Sequence, residues 1–257
     1  MSPAGGTGLL QTLNAFPNCG TCRCYTCEVQ VVSLGGNCLV ACEIRARFGD
    51  GWFPFDWWIS SPGGLLRLIE DDFSGLFDAD RLQLVKDGLS VANLHYGILH
   101  HHDFPRDSDG RIILSSATVE RNRPRFELLH RRWRALAGRV LFVRYYWSTC
   151  VPELASVNIA QEVPDIALLP ALLDRVFPHL DYRVLVVDSN QEIEHDKLLF
   201  RRVEDFSQKD SIDAGNLAWP GNRAIWQRIF DSVPMPGGDL YHTTMAEVAR
   251  TPVFRPP

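Results

Sequence analysis

The chain has 257 residues, 46% of them hydrophobic, which is enough for one large core or two modest ones and falls within the range of a single α/β domain. Its formal charge of −5 at pH 7 argues against a general binder of nucleic acid or of anionic membranes, since neutralising phosphates takes a basic excess. The N-terminus has no basic lead and no stretch approaches the ~20 apolar residues that span a bilayer, so the expectation is a soluble, cytoplasmic protein.

Residues 1–27 show no apolar periodicity, and four of the seven cysteines crowd into "CGTCRCYTC". A structural zinc site usually takes paired cysteines separated by roughly a dozen residues, so that the chain can return and close the tetrahedron. Here there is no return, and no metal is assigned. The reading is a flexible, cysteine-rich extension over 1–27, followed by a single domain over 28–257.

The domain opens with "EVQVVSLG", a strand. A glycine loop follows at Gly35 and Gly36, then a helix cap at Asn37 and a helical pattern of Leu39, Val40, Ile44 and Phe48 that stops at Gly49. Cys38 then stands in the first helical turn, where unpaired N–H groups and the helix dipole favour a thiolate and lower the thiol pKa. Cys42, one turn on, reads as a small core thiol.

"GWFPFDWWISSPGG" reads as an aromatic-rich loop with Trp57 as pocket wall, and "LLRLIEDDFSGLF" as a short amphipathic helix. In "LHYGILHHHDF", extended backbone places His100 and His102 on one face and His101 on the other. These three and His95 are candidate bases for a cysteine nucleophile, and the local sequence does not choose among them. A helix over 124–136 leads to the strand "RVLFVRYYW". "DIALLPALLDRVF", helical despite its proline, leads to "YRVLVVDSN", and "KLLFRRVEDF" adds a further strand. Apolar strands without alternation, separated by helices, predict a three-layer α/β fold with a mostly parallel central sheet. Ligands then gather beyond the carboxyl ends of the strands, where Gly35, Cys38, Arg144 and Asp188 emerge.

Taken in order, "VVSLGGNCLVACEIRARFG", "FPFDWWISS", "HHDFPRD", "RPRFELL" and "VLFVR" resemble the bacterial family labelled papain-like cysteine peptidases. That family's pattern is a strand ending in Ser-Leu-Gly-x-x-Cys, then Pro-Phe-Asp-Trp, His-Asp-Phe, an Arg-Phe helix and a Phe-Val-Arg strand. The resemblance runs over residues 28–230, including "WPGNRAIWQRIF", and leaves the cysteine-rich extension uncovered. It implies a hydrolase or acyl transferase acting on a peptide or other acyl substrate, with no cofactor and no nucleic-acid or membrane partner. Cys38 becomes the nucleophile and His102 the base, with Asp56 or Asp103 orienting the imidazole. Gly35, Gly36, Asn37, Trp57 and Arg144 surround the substrate, and the 36–39 backbone supplies oxyanion donors. A papain-like α+β domain is the alternative fold.

Two other readings stand beside this one. "SLGGNC" together with "DLYHTTMAEVA" resembles the GDSL-type, or SGNH, esterase arrangement, which makes Asp239 and His242 the partners of Cys38. A non-catalytic module would instead hold a sugar-phosphate or nucleotide at Gly35, Gly36 and Arg144, because a helix N-terminus plus one arginine attracts anions.

Overall fold

The computed structural model describes residues 29–49, 51–147, 151–159, 161–206 and 223–236. The expected extension over 1–27, Cys150, Asp239 and His242 lie outside the described residues. Within them the strands are β1 (Val29–Ser33), β2 (Trp58–Ser60), β3 (Leu82–Val85), β4 (Ser90–Asn93), β5 (Ile98–His100), β6 (Arg139–Trp147), β7 (Asp181–Ser189) and β8 (Leu198–Arg201). The helices are α1 (Cys38–Phe48), α2 (Pro62–Glu70), α3 (Ser116–Arg134), α4 (Pro152–Ala155), α5 (Leu168–Val176), α6 (Val203–Phe206) and α7 (Arg223–Asp231).

The fold is mixed α/β. One four-stranded sheet is parallel, in the order β1-β6-β7-β8, and the other is antiparallel, in the order β2-β5-β4-β3. The expectation of a mostly parallel sheet therefore holds for the first sheet and misses the second. The reason is length: β2 to β5 have three or four residues each, too few for a two-residue alternation to stand out. The β3–β4 hairpin also turns through Lys86 and Asp87, both at φ 53°, ahead of Gly88.

In the parallel sheet, Val140, Phe142, Val184 and Val186 join a core with Leu65 and Leu68 of α2, Trp133 of α3 and Leu169 of α5. Their neighbours Leu141, Val143, Leu185 and Val187 join a second core with Val40 and Ile44 of α1 and Ile225, Trp226 and Ile229 of α7. Successive strand side chains point to opposite faces, so two apolar faces produce the unbroken apolar runs of β6 and β7. The antiparallel sheet enters the first core through Trp58, Leu82, Val91 and Ile98. Ile59, Ala92 and Leu99 meet Val151 and Leu154 in a third cluster.

Helix α1 starts and stops where the sequence places it: the Leu39 N–H donates to Asn37 Oδ1 at 3.2 Å, and Gly49 closes it at φ 89°. Helix α3 begins at Ser116 rather than at 124, because Ser115 caps it by accepting from the Thr118 N–H at 3.3 Å. Pro124 is carried inside that helix. Pro170 falls in the first turn of α5, where a missing N–H has no intrahelical partner to lose. No helix among the described residues is long and apolar enough to cross a membrane.

Candidate active site at the carboxyl edge of the parallel sheet

Between β1 and α1 the chain threads residues 34–37 between β6 and β2. The Leu34 N–H donates to Val143 O at 2.8 Å, the Tyr145 N–H to Gly35 O at 3.1 Å, and the Ser60 N–H to Gly36 O at 3.3 Å. Gly36 sits at φ 107°, and a Cβ there would lie 2.1 Å from the Tyr145 carbonyl oxygen. Only glycine fits such an approach.

Behind this loop Arg144 is completely buried. Its Nη1 donates to Leu34 O at 2.9 Å and Ser60 Oγ at 2.7 Å, its Nη2 to Ser60 O at 2.6 Å and its Nε to Tyr146 O at 3.3 Å. Burial lowers the guanidinium pKa to about 9. The expected place of Arg144 around the substrate is corrected accordingly: its donors are spent on the protein, so it braces the loop from behind. The anion site expected at Gly35, Gly36 and Arg144 loses its cation for the same reason.

Cys38 heads α1 and is partly buried, whereas Cys42 is exposed and lies 4.0 Å from Arg45 Nη2. Cys42 is thus not the core thiol expected. The expected lowering of the Cys38 pKa is also overturned. Burial pushes it up, Cys42 and Glu153 add to the rise, and the cysteine's own N–H and Arg45 only partly oppose it. Desolvation outweighs the helix terminus here. Of the oxyanion donors assigned from sequence, the Leu39 N–H is already engaged by Asn37 and the Cys38 N–H faces its own sulfur.

Glu153, on α4, was not singled out in the sequence. Its Oε2 is buried without a hydrogen-bond partner, and its charge acts on both Cys38 and Tyr146. Tyr146 and Asp188 lie on neighbouring strands at φ 57° and 56°, and the β6–β7 register steps over them from Tyr145↔Val187 to Trp147↔Ser189. Non-glycine residues held at positive φ cost about 1–3 kcal/mol each and gather at functional sites. The Tyr145 and Tyr146 rings stack at 3.8 Å, and Asp188, whose charge acts on the Tyr145 hydroxyl, accepts from the Val203 N–H at 2.8 Å. Burial raises the pKa of Asp188. Sequence reasoning brought Asp188 to this edge but had no signal for the twin backbone kinks.

No family model, curated protein or solved structure matches the chain. The site is therefore read from its own geometry.

The remaining candidates fall into separate pairs. Asp56, 2% exposed, accepts from Arg45 Nη1 at 2.9 Å and from the Phe53 N–H at 3.1 Å, and burial raises its pKa to about 6 despite the arginine. The Arg45 guanidinium also lies over Trp52 and Trp57, at 4.6 and 4.9 Å from the ring centroids. Asp103 Oδ2 lies 2.7 Å from His100 Nδ1 and accepts from Trp58 Nε1 at 2.8 Å. Burial would raise the Asp103 carboxyl, but these bonds outweigh it and leave its pKa below the usual range.

β5 ends at His100, after which the chain bends, so His100 and His102 do not share a face as expected. His100 is buried, His101 meets Ser90 Oγ at 2.9 Å, and His102 is exposed with its ring 5.4 Å from that of Trp57. Burial lowers the His102 pKa; Asp103 opposes this, while Arg106 and Arg125 reinforce it. The leading influences on Cys38 include no histidine. Among the described residues no group of three or more His, Cys, Asp and Glu is placed to hold a metal.

Proposed function

We propose that the chain is a cysteine-dependent hydrolase or acyl transferase working at Cys38 on a peptide or other acyl substrate, the activity that its motifs' resemblance to papain-like peptidases implies, with Glu153 in place of His102 as the base. The observation that carries this reading is the setting of the thiol. It stands at a helix head beyond the carboxyl end of a parallel strand, within electrostatic reach of a carboxylate whose buried oxygen has no partner, beside two strained strand ends. The proposed three-layer arrangement is supported by the separate apolar clusters fed by adjacent strand residues. A cytoplasmic location suits a free thiol.

In the proposed reaction the Cys38 thiol is neutral at pH 7 and must lose its proton as the new bond forms. Sγ attacks the acyl carbon, Glu153 takes the proton, and the bond to the leaving group breaks as that proton passes to it. Water or an acceptor alcohol or amine then attacks the thioester, its proton passes through Glu153 to the departing sulfur as the C–S bond breaks, and Cys38 is freed as the neutral thiol. Arg144 takes no part except to hold the loop.

p-Nitrophenyl acetate tests the reading. The acetyl group is expected on Cys38, located by peptide mass spectrometry, and absent from Cys38→Ala. Glu153→Gln should slow nitrophenolate release about a hundredfold, at the lower end of general-base effects. His102→Ala should leave it near the wild-type rate. Acetylation of the exposed Cys42 with Cys38 unlabelled would sink the proposal.

A further inference from the structure

On β6, Val140 and Phe142 face the first core, while Leu141, Val143 and Tyr145 face the second, which α1 and α7 cover. Strict alternation would turn Tyr146 toward the first core and Trp147 toward the second. The reverse is found: Trp147 belongs to the first core, and Tyr146 packs against the second beside Tyr145. The φ of 57° at Tyr146 makes this reversal, and irregularities of this kind re-aim side chains next to active sites. Tyr146 is thereby kept on the side of the sheet that carries α1, whose head is Cys38. The two are close along the chain path as well. Gly36 is pressed against the Tyr145 carbonyl, two residues before Cys38 and one before Tyr146, and Glu153 acts on both side chains.

We propose that the Tyr146 hydroxyl is the hydrogen-bond donor to the oxyanion that forms when Cys38 adds to an acyl carbonyl. This role rests on the cysteine-dependent reaction proposed above, in which two of the backbone donors assigned from sequence, the Leu39 and Cys38 N–H groups, are already engaged. Tyr145 is buried but Tyr146 is only half-buried, which leaves its ring edge open to a substrate. The stack on Tyr145 at 3.8 Å holds the ring in place before reaction, as an oxyanion donor requires. Burial and the charges of Asp188 and Glu153 keep Tyr146 a neutral phenol, and so a donor, at pH 7. As Sγ bonds to the acyl carbon, the carbonyl π pair moves onto oxygen and accepts from the Tyr146 O–H. When the C=O bond re-forms, the leaving group departs with the proton that Glu153 carried, and Tyr146 keeps its own proton throughout.

The test compares two reagents on the full chain, p-nitrophenyl acetate and iodoacetamide, with modification of Cys38 followed by peptide mass spectrometry. Acetylation passes through an oxyanion; alkylation at a saturated carbon does not. Tyr146→Phe should slow acetylation about a hundredfold, the lower end for a lost oxyanion donor, and leave alkylation unchanged. Tyr145→Phe removes the neighbouring hydroxyl and should slow acetylation far less. Both variants keep the stacked rings, and circular dichroism verifies the fold. Unchanged acetylation in Tyr146→Phe, alkylation that falls in parallel with it, or an equal loss in Tyr145→Phe would each overturn the role of Tyr146 while leaving Cys38 as nucleophile. A wild-type chain that is not acetylated at Cys38 would overturn the proposed function itself, and the donor with it.

Discussion

At the carboxyl edge of the parallel sheet, position is enforced by backbone. Gly36 is pressed against the Tyr145 carbonyl, and Tyr146 and Asp188 are held at positive φ on adjoining strands. Around β2 and β5 the same task falls to buried side chains, with Asp56 held by Arg45 and Asp103 held by His100 and Trp58. The contact of Gly36 with the Tyr145 carbonyl is insensitive to pH and intolerant of added atoms. The second arrangement tolerates small changes of shape but responds to protonation, so the two regions should fail in different ways.

Gly36→Ala should show the largest effect. Its Cβ must displace the Tyr145 carbonyl, and about 4 kcal/mol of stability should be lost in urea unfolding at any pH. Gly35→Ala, whose nearest contacts would be 3.2 and 3.3 Å, should cost less than half of that. A milder loss for Gly36 than for Gly35 would break the account of the loop.

Asp56 supplies the contrast. Its folded pKa of about 6 lies above the ordinary carboxyl value, so the folded state binds more protons than the unfolded state between those limits. Its contribution should therefore fall by up to about 3 kcal/mol as pH rises through that window. Asp56→Asn should remove this slope, seen as a narrowing stability difference between variant and wild type toward low pH. A difference that stays flat between pH 4 and 6 would contradict the burial argument.

Two smaller effects sharpen the comparison. Arg144→Lys keeps the charge but cannot span the Leu34, Ser60 and Tyr146 oxygens with one ammonium group, and about 2 kcal/mol should be lost. Asp103→Asn should cost about 1 kcal/mol through its bonds to His100 and Trp58 and leave Cys38 alkylation unchanged. Slower alkylation in Asp103→Asn would tie the two regions together chemically.

The sequence disclosed most where one physical rule acted alone. The glycine pair, Asn37 and Gly49 bracketed α1 because caps and positive φ are chemically selective. The long apolar runs of β6 and β7 marked buried parallel strands. It disclosed least where context decided. The short strands β2 to β5 carry too few residues for a period, and Ser115 outranked Pro124 as the start of α3. At the site, Cys38 was visible through its position, but its raised pKa follows from burial by elements distant in sequence. Glu153 comes from a four-residue helix more than a hundred positions away, and the kinks at Tyr146 and Asp188 have no compositional mark.

The most direct measurement is the rate of Cys38 carbamidomethylation by iodoacetamide as a function of pH, read by peptide mass spectrometry in the wild type, Glu153→Gln and His102→Ala. The account predicts a half-maximal rate above the ordinary thiol pKa, moved downward by Glu153→Gln because a negative charge is removed, and unmoved by His102→Ala. A wild-type midpoint below the ordinary thiol value, or one that His102→Ala shifts while Glu153→Gln does not, would contradict it.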